Sequence, residues 1–241
     1  MIESAWSVPV VILLSYLLGS VPTSIVAGRL AKGIDVREHG SGNAGGTNAF
    51  RVLGPRIGVI VIAGDIGKAV IATLLVSRLG WTEIMGYEAF ALIAGMSAIV
   101  GHIWTVFARF RGGKGVAAAG GMLLALYPAA FLGALACFAL VIMITGIVSA
   151  GSISAALAFP VLIWMFDATG LVDYPTLLKI VCIPVGLLIV FTHRSNIGRL
   201  LTGTENRFPK LMLLRSKAAK RRAEKARGGN TTPDSEEPAE G

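Results

Sequence analysis

Apolar positions along this chain run in long unbroken blocks. Residues 115–166 carry no charged side chain, and residues 89–108 carry none if His102 is neutral. Neither block alternates with the two-residue period of a half-buried strand. A bilayer core of ~30 Å needs roughly 20 apolar residues as helix. Within lipid, only helices and closed barrels satisfy their own backbone. A soluble domain has nowhere to bury 52 uncharged residues in one run. The pattern therefore predicts an all-α polytopic membrane protein, with spans near 8–29, 57–78, 87–107, 115–131, 133–149, 152–167 and 176–192. The block 115–166 has to divide, because one helix of that length would measure ~78 Å at 1.5 Å per residue. Breaks are expected near Pro128 and Gly151, giving thin spans that are tilted or include one re-entrant piece. Seven spans is the reading, with five as the alternative.

Composition and charge refine this picture. The 241 residues are 54% hydrophobic and 15% charged, with a mean hydropathy of +0.71. The first eight residues hold Glu3 but no Lys or Arg, so the basic start of a cleavable signal is missing. Lys and Arg number five in 29–56, one in 78–88, three in 109–114, one in 167–179 and eleven from 193 onward. Basic-rich and basic-poor segments thus alternate. The positive-inside rule puts 29–56, 109–114 and the C-terminus in the cytoplasm, and the N-terminus outside. The net charge of +8 lies in these topology segments and in the tail, with no aromatic-rich basic surface, which argues against nucleic acid as a partner. Residues 1–210 form the membrane domain. The stretch 211–241 is basic and then acidic, with a composition that predicts a disordered cytoplasmic tail. Its basic part can rest on anionic lipid, and it is assigned no catalytic role. Cys137 and Cys182 lie within apolar runs and read as small core residues.

The candidate chemistry falls in three segments, all on the predicted cytoplasmic side. The first is HGSGNAGGTNAFR, residues 39–51, in which Gly40, Gly42 and Gly45 spell G-x-G-x-x-G. A dinucleotide fingerprint also needs a preceding strand and an acidic residue about 20 positions on. No strand-like run precedes this stretch, and the next acid is Asp65, inside the following span. A P-loop fails as well, since Gly45 is followed by Gly46 and Thr47 rather than Lys-Ser/Thr. The glycines can still direct successive N–H groups into an anion-binding concavity. Ser41, Asn43, Thr47 and Asn48 add neutral donors, and Arg51 can grip a phosphate at two points. In the second segment, RFRGGKG, Lys114 lies between Gly113 and Gly115 at the start of a small-residue helix, where N–H groups favour an anion. In the third, HRSNIGRLLTGTENR, the spacing sets His193, Asn196 and Arg199 on one helix face. Gly203 then ends the helix before Glu205, Asn206 and Arg207. His39 reads as loop, and His102 as a hydrogen-bonding helix residue. Asp65 and Lys68 sit three apart inside the second span. Intramembrane ionisable groups are functional candidates, and here a mutual pairing is compatible with supporting the loop. Small residues at Gly113, Ala117 and Gly121 recur every four positions, as in close helix packing. No Cys/His cluster has zinc spacing, and no clustered Asp residues suggest Mg²⁺. No metal and no cofactor is expected.

Together, GSGNAGGTN with Arg51, GGKG with Lys114, and HRSNIGRLLTGTENR resemble the three motifs of the bacterial acyl-phosphate:glycerol-3-phosphate acyltransferases, the PlsY family, from about residue 8 to 208. The resemblance implies a multi-pass enzyme of the bacterial inner membrane with its active site facing the cytoplasm. It implies acyl transfer from acyl-phosphate to the sn-1 hydroxyl of glycerol 3-phosphate, giving lysophosphatidic acid and inorganic phosphate in the first acylation of phospholipid synthesis. It implies no metal and no acyl-CoA or acyl-carrier protein as direct donor, and no obligate protein partner is inferred. Arg51, Lys114 and the glycine-turn amides would offset two dianionic phosphates. Ser41, Asn196 and those amides would face the oxyanion. The base is either His193 or a substrate phosphate held by His193. Gly40, Gly42, Asn43, Gly45, Gly46, Thr47, Asn48, Gly113, Gly115, Arg199, Gly203, Glu205, Asn206 and Arg207 would form the substrate-binding turns. The competing reading is a transporter of an anionic phosphate compound, which would place ionisable residues near the midplane in repeated halves.

Overall fold

The computed structural model describes residues 6–80, 86–208 and 212. The readings that rested on Glu3 and on the 211–241 tail lie outside these residues, apart from Met212. Among the described residues there is no strand, and the chain is a succession of helices. Helices α1 (Ser7–Gly19) and α2 (Thr23–Lys32) form one broken rod. Helix α3 (Gly46–Leu53) follows the first glycine turn and leads into α4 (Pro55–Leu74). Next come α5 (Tyr87–Ile103), α6 (Val116–Leu126), α7 (Pro128–Thr145) and α8 (Val148–Ala168). The last two are α9 (Thr176–Thr192) and α10 (Arg194–Leu201).

Among the described residues, five stretches are long and apolar enough to cross a membrane: Ser7–Lys32, Pro55–Gly80, Tyr87–Ala108, Pro128–Thr145 and Val148–Ala168. A sixth arises if α9 and α10, bent by 59° at their junction, count together. Helix α6 is shorter than the expected 115–131 span. Its 11 residues reach only ~16 Å, about half the hydrocarbon thickness. Pro128 opens α7 as expected, because proline fits a helix's first turn, where its missing N–H leaves no acceptor unfilled. The second break is not at Gly151. It falls at Gly146, whose φ of +69° caps α7, a left-handed conformation glycine adopts without strain. Gly151 lies inside α8 and packs against α7, where a Cβ would come within 3.0 Å of the Phe138 carbonyl oxygen.

The break between α1 and α2 exposes backbone carbonyls in the first rod, and buried donors satisfy them. The Thr105 hydroxyl donates to the Ser20 carbonyl, and Lys68 Nζ donates to the Val21 carbonyl at 2.9 Å. Irregular backbone at membrane depth persists only where protein supplies such partners. The main core gathers α4–α9 around Ile99, Met122, Phe159, Ile163 and Leu178. A second core, of Ile25, Val36, Ala49, Leu53 and Val61, lies under the first glycine segment. Close crossings hold the helices together. At Gly121 in α6 a Cβ would lie 2.3 Å from the Ile66 carbonyl oxygen of α4 and 2.9 Å from Ala69 Cβ. The small-residue repeat therefore serves packing at this position. Gly121→Leu should separate α4 from α6 and lower stability by roughly 1–3 kcal/mol. A thermal melt of the detergent-purified protein checks this, and an unchanged midpoint would refute the close crossing.

Candidate active site

The three glycine- and cation-bearing segments, far apart in sequence, converge on one cavity of about 320 Å³. From the first segment come Ser41, Asn43, Gly45, Gly46, Thr47, Asn48 and Arg51, and from the second Lys114. The third supplies His193, Asn196, Glu205 and Asn206, and Asp65 reaches the same space from α4. Gly40, Gly42, Gly113, Gly115, Lys68, Arg199, Gly203 and Arg207 do not line it.

Two helix starts point into the cavity. Gly45 caps α3 in extended conformation, and its carbonyl accepts from the Asn48 and Ala49 N–H groups at 3.1 and 3.0 Å. The Gly46 and Thr47 N–H groups ahead of them have no intrahelical acceptor. Gly115, at φ +85°, caps α6, and its carbonyl takes the Ala119 N–H at 2.7 Å. The first N–H groups of α6 are therefore also free of intrahelical bonds. Both helix ends carry the positive pole of a helix dipole, which favours an anion.

Asn48 lines the cavity with its amide already engaged by the loop. It is buried, its Oδ1 accepts from the Ser41 N–H at 2.8 Å, and its Nδ2 donates to the Val36 and His39 carbonyls at 2.8 and 3.1 Å. The amide folds the glycine loop back on itself and shapes the turn that carries Ser41. Asn196 is equally engaged. Its Oδ1 accepts from Lys114 Nζ, and its Nδ2 donates to Glu205 Oε1 at 2.9 Å. Glu205 Oε2 accepts from Arg199 Nε at 2.7 Å. The expected row of His193, Asn196 and Arg199 thus forms in part: His193 sits at the α9–α10 bend, Asn196 faces the cavity, and Arg199 ties down Glu205. Gly203, at φ +70°, turns the chain back after α10 so that Glu205 can reach them, and Arg207 is exposed.

Electrostatics follow from this wiring. Burial, and secondarily the positive charge of Arg199, push Lys114 down to about 8, with Glu205 opposing the shift. Burial works to raise the Glu205 carboxyl, but hydrogen bonds from Asn196 and Arg199 and the Arg199 charge outweigh it and hold it below its ordinary value. His193 is buried, and its Nδ1 lies 2.8 Å from the Ile189 carbonyl. A carbonyl only accepts, so Nδ1 carries the proton and, in the neutral ring, Nε2 keeps its lone pair. Arg51 pairs with no carboxylate among the described residues; its guanidinium lies over the Phe208 ring, 5.0 Å from the centroid.

The cavity wall also includes His102, the helix histidine expected from the sequence to be engaged in hydrogen bonding. His102 lies 3.3 Å from Asp65 Oδ1, which also accepts from Thr23 at 2.6 Å and pairs with Lys68 at 2.9 Å. Gly113 lies against the His102 ring, where a Cβ would sit 2.1 Å from Nε2, and its N–H donates to the His102 carbonyl at 3.0 Å. The polar group inside the bilayer segment therefore underlies the Lys114 turn. No spacing rule marks His102, because its partners lie on α4 and in the glycine turn. Away from the polar end, the cavity is walled by Leu123 of α6, Phe131 and Phe138 of α7, Phe159 of α8 and Val185 of α9. Among the described residues, no group of three His, Cys, Asp or Glu side chains is arranged to hold a metal.

Comparison with known proteins bears on this site. A family model described as glycerol-3-phosphate acyltransferase matches residues 9–203. A glycerol-3-phosphate acyltransferase of Chlorobaculum tepidum is 47% identical over 219 residues, covering 82% of this chain and 94% of its own length. One of Chlorobaculum parvum is 49% identical over 221 residues, covering 82% and 94%. Two crystal structures of PlsY, an integral membrane glycerol 3-phosphate acyltransferase, are 34% identical and cover 87% of this chain and 100% of theirs. They have TM-scores of 0.75 in the glycerol 3-phosphate form and 0.74 in the lysophosphatidic acid form.

The lowered Lys114 value gives a pH dependence for anion binding. Below about pH 8 the ammonium is charged and attracts a phosphate dianion; above it the charge is lost. Affinity for a phosphomonoester should fall above pH 8, approaching about tenfold per pH unit, and Lys114→Arg should flatten the profile because its guanidinium stays charged. Isothermal titration from pH 7 to 9.5 checks this, and a flat wild-type profile would contradict it.

Proposed function

The chain belongs to the glycerol-3-phosphate acyltransferase family, and on that premise we propose that it takes its acyl group from acyl-phosphate and delivers it to the sn-1 hydroxyl of glycerol 3-phosphate. The protein is an integral membrane acyltransferase that makes lysophosphatidic acid, a step of phospholipid synthesis. Family membership displaces the transporter alternative. The observation that carries the reading is a single cavity with a cation- and amide-rich end and an apolar end. One end suits phosphate and the other a fatty chain, so a water-soluble and a membrane-borne substrate can meet.

The proposed chemistry follows the donors in place. Arg51, Lys114 and the N–H groups at the starts of α3 and α6 hold the phosphates. The sn-1 oxygen attacks the acyl carbonyl carbon, the carbonyl becomes an oxyanion, and the bond to the phosphate oxygen breaks. Asn196 is bonded to Lys114 and Glu205, so its role is to aim the ammonium. The oxyanion then falls to the Ser41 hydroxyl and the glycine-turn amides. The hydroxyl proton goes to His193 Nε2 or to a substrate phosphate oxygen held by His193. The acyl chain lies along α6–α9, against Leu123, Phe131, Phe138, Phe159 and Val185. The charge bias of the loops supports a cytoplasmic-facing site in the bacterial inner membrane. The family match to residues 9–203 supports assigning activity to the 1–210 domain and none to the tail.

Purified protein given labelled glycerol 3-phosphate should form lysophosphatidic acid with palmitoyl-phosphate, and should not do so with palmitoyl-CoA or palmitoyl-carrier protein. Product from the CoA donor alone would overturn the donor assignment. His193→Gln should abolish turnover at every pH while glycerol 3-phosphate still binds, if imidazole is the base. A loss confined to KM would assign proton removal to the substrate phosphate instead.

A further inference from the structure

Arg51 differs from the carboxylate-paired cations among the described residues in the kind of group that holds it. Arg37 lies 2.6 Å from Asp35, Lys179 2.7 Å from Asp167, Arg199 2.7 Å from Glu205 and Lys68 2.9 Å from Asp65. These carboxylates occupy N–H donors and neutralise charge. Arg51 instead stacks over the face of Phe208 at 5.0 Å. A ring attracts the cation through its π face while leaving the guanidinium's edge, where all five N–H donors lie, free for an anion.

The ring is itself fixed from two sides. It meets Phe50 edge to face, with centroids 6.2 Å apart at 83°. The Phe208 N–H donates to the Gly146 carbonyl at 2.7 Å, which pins the strap 202–208 to the turn between α7 and α8. Phe208 also lines the cavity beside Arg51. The other stacked arginine among the described residues, Arg194 over Phe191 at 4.8 Å, is exposed and does not line the cavity, so position as well as stacking marks Arg51.

We propose that Phe208, one residue beyond the third motif, is a positioning residue that orients the Arg51 guanidinium toward substrate phosphate and keeps its charge and donors unengaged. The inference rests on the reading of Arg51 as a phosphate ligand. A flexible arginine without the ring would sample many rotamers, and ordering it on binding would cost affinity.

The test is steady-state kinetics with glycerol 3-phosphate in detergent-purified full-length protein. Phe208→Leu should raise KM for glycerol 3-phosphate about 5- to 20-fold with kcat within about twofold, whereas Phe208→Tyr and Phe208→Trp, which keep a π face, should stay within about twofold. In an Arg51→Ala background, Phe208→Leu should add no more than about twofold, because coupled residues are non-additive. Progressive fluorination of the Phe208 ring, which drains the π face with little change in shape, should raise KM stepwise and serves if the leucine variant does not fold. An unchanged KM through the fluorinated series, or equal effects of Phe208→Leu with and without Arg51, overturns the inference. If Arg51→Ala itself leaves KM unchanged, the phosphate reading of Arg51 fails, and this inference fails with it.

Discussion

A cation can bind a phosphate fully only if nothing in the protein has already neutralised it, and this constraint organises the site. Two dianions brought together repel strongly, and in a partly desolvated cavity that repulsion is amplified. The cations that offset it must be held in place, yet carboxylate partners would compete with the substrates. On the proposed acyl-phosphate reading that conflict is eased by neutral partners, an aromatic ring for Arg51 and an amide oxygen for Lys114. Carboxylates are reserved for cations that tie the scaffold, as in Arg37–Asp35 and Lys179–Asp167. Glu205 belongs to the scaffold too. It fixes Asn196 and Arg199, and Asn196 in turn aims Lys114.

The fold serves the same end. Helix α6 is short, and its N-terminal turn carries Lys114 into the cavity beside the start of α3. The broken first rod needs donors for its free carbonyls, and Lys68 and Thr105 supply them. Lys68 also pairs with Asp65, which links through His102 to the Gly113 turn. A buried ion pair is weak evidence for stability by itself. Here it joins the α1–α2 break to the turn that presents Lys114, so its value lies in register.

Much of this was legible in the sequence. Long uncharged blocks define the apolar helices, because lipid leaves the backbone few choices. Gly-x-Gly spacing beside Asn, Ser and Arg picks out a segment that lines the cavity, and the absence of a preceding strand removes the nucleotide reading. What stayed hidden depends on three-dimensional partners. The break at Gly146 rather than Gly151 turns on which glycine takes a positive φ and which packs on Phe138. Asn48 and Asn196 have the composition of substrate donors, and only the folded chain shows the loop, ammonium and carboxylate partners that their amides engage. The sequence marks His102 as a hydrogen-bonding helix residue but not its partners on α4 and in the glycine turn, and Phe208 gains meaning only from Phe50 and Arg51 on α3.

The central claim is that partner chemistry separates ligand-binding cations from structural ones. Calorimetric dissociation constants for glycerol 3-phosphate, measured beside thermal midpoints, test it across Arg51→Gln, Lys114→Gln, Arg37→Gln and Lys179→Gln. The account predicts that the first two weaken binding at least about tenfold, the loss expected of a charge-assisted phosphate contact, with midpoints little changed. The latter two should lower the midpoint and leave affinity intact. Equal losses of affinity across all four, or intact binding in Arg51→Gln and Lys114→Gln, would contradict it.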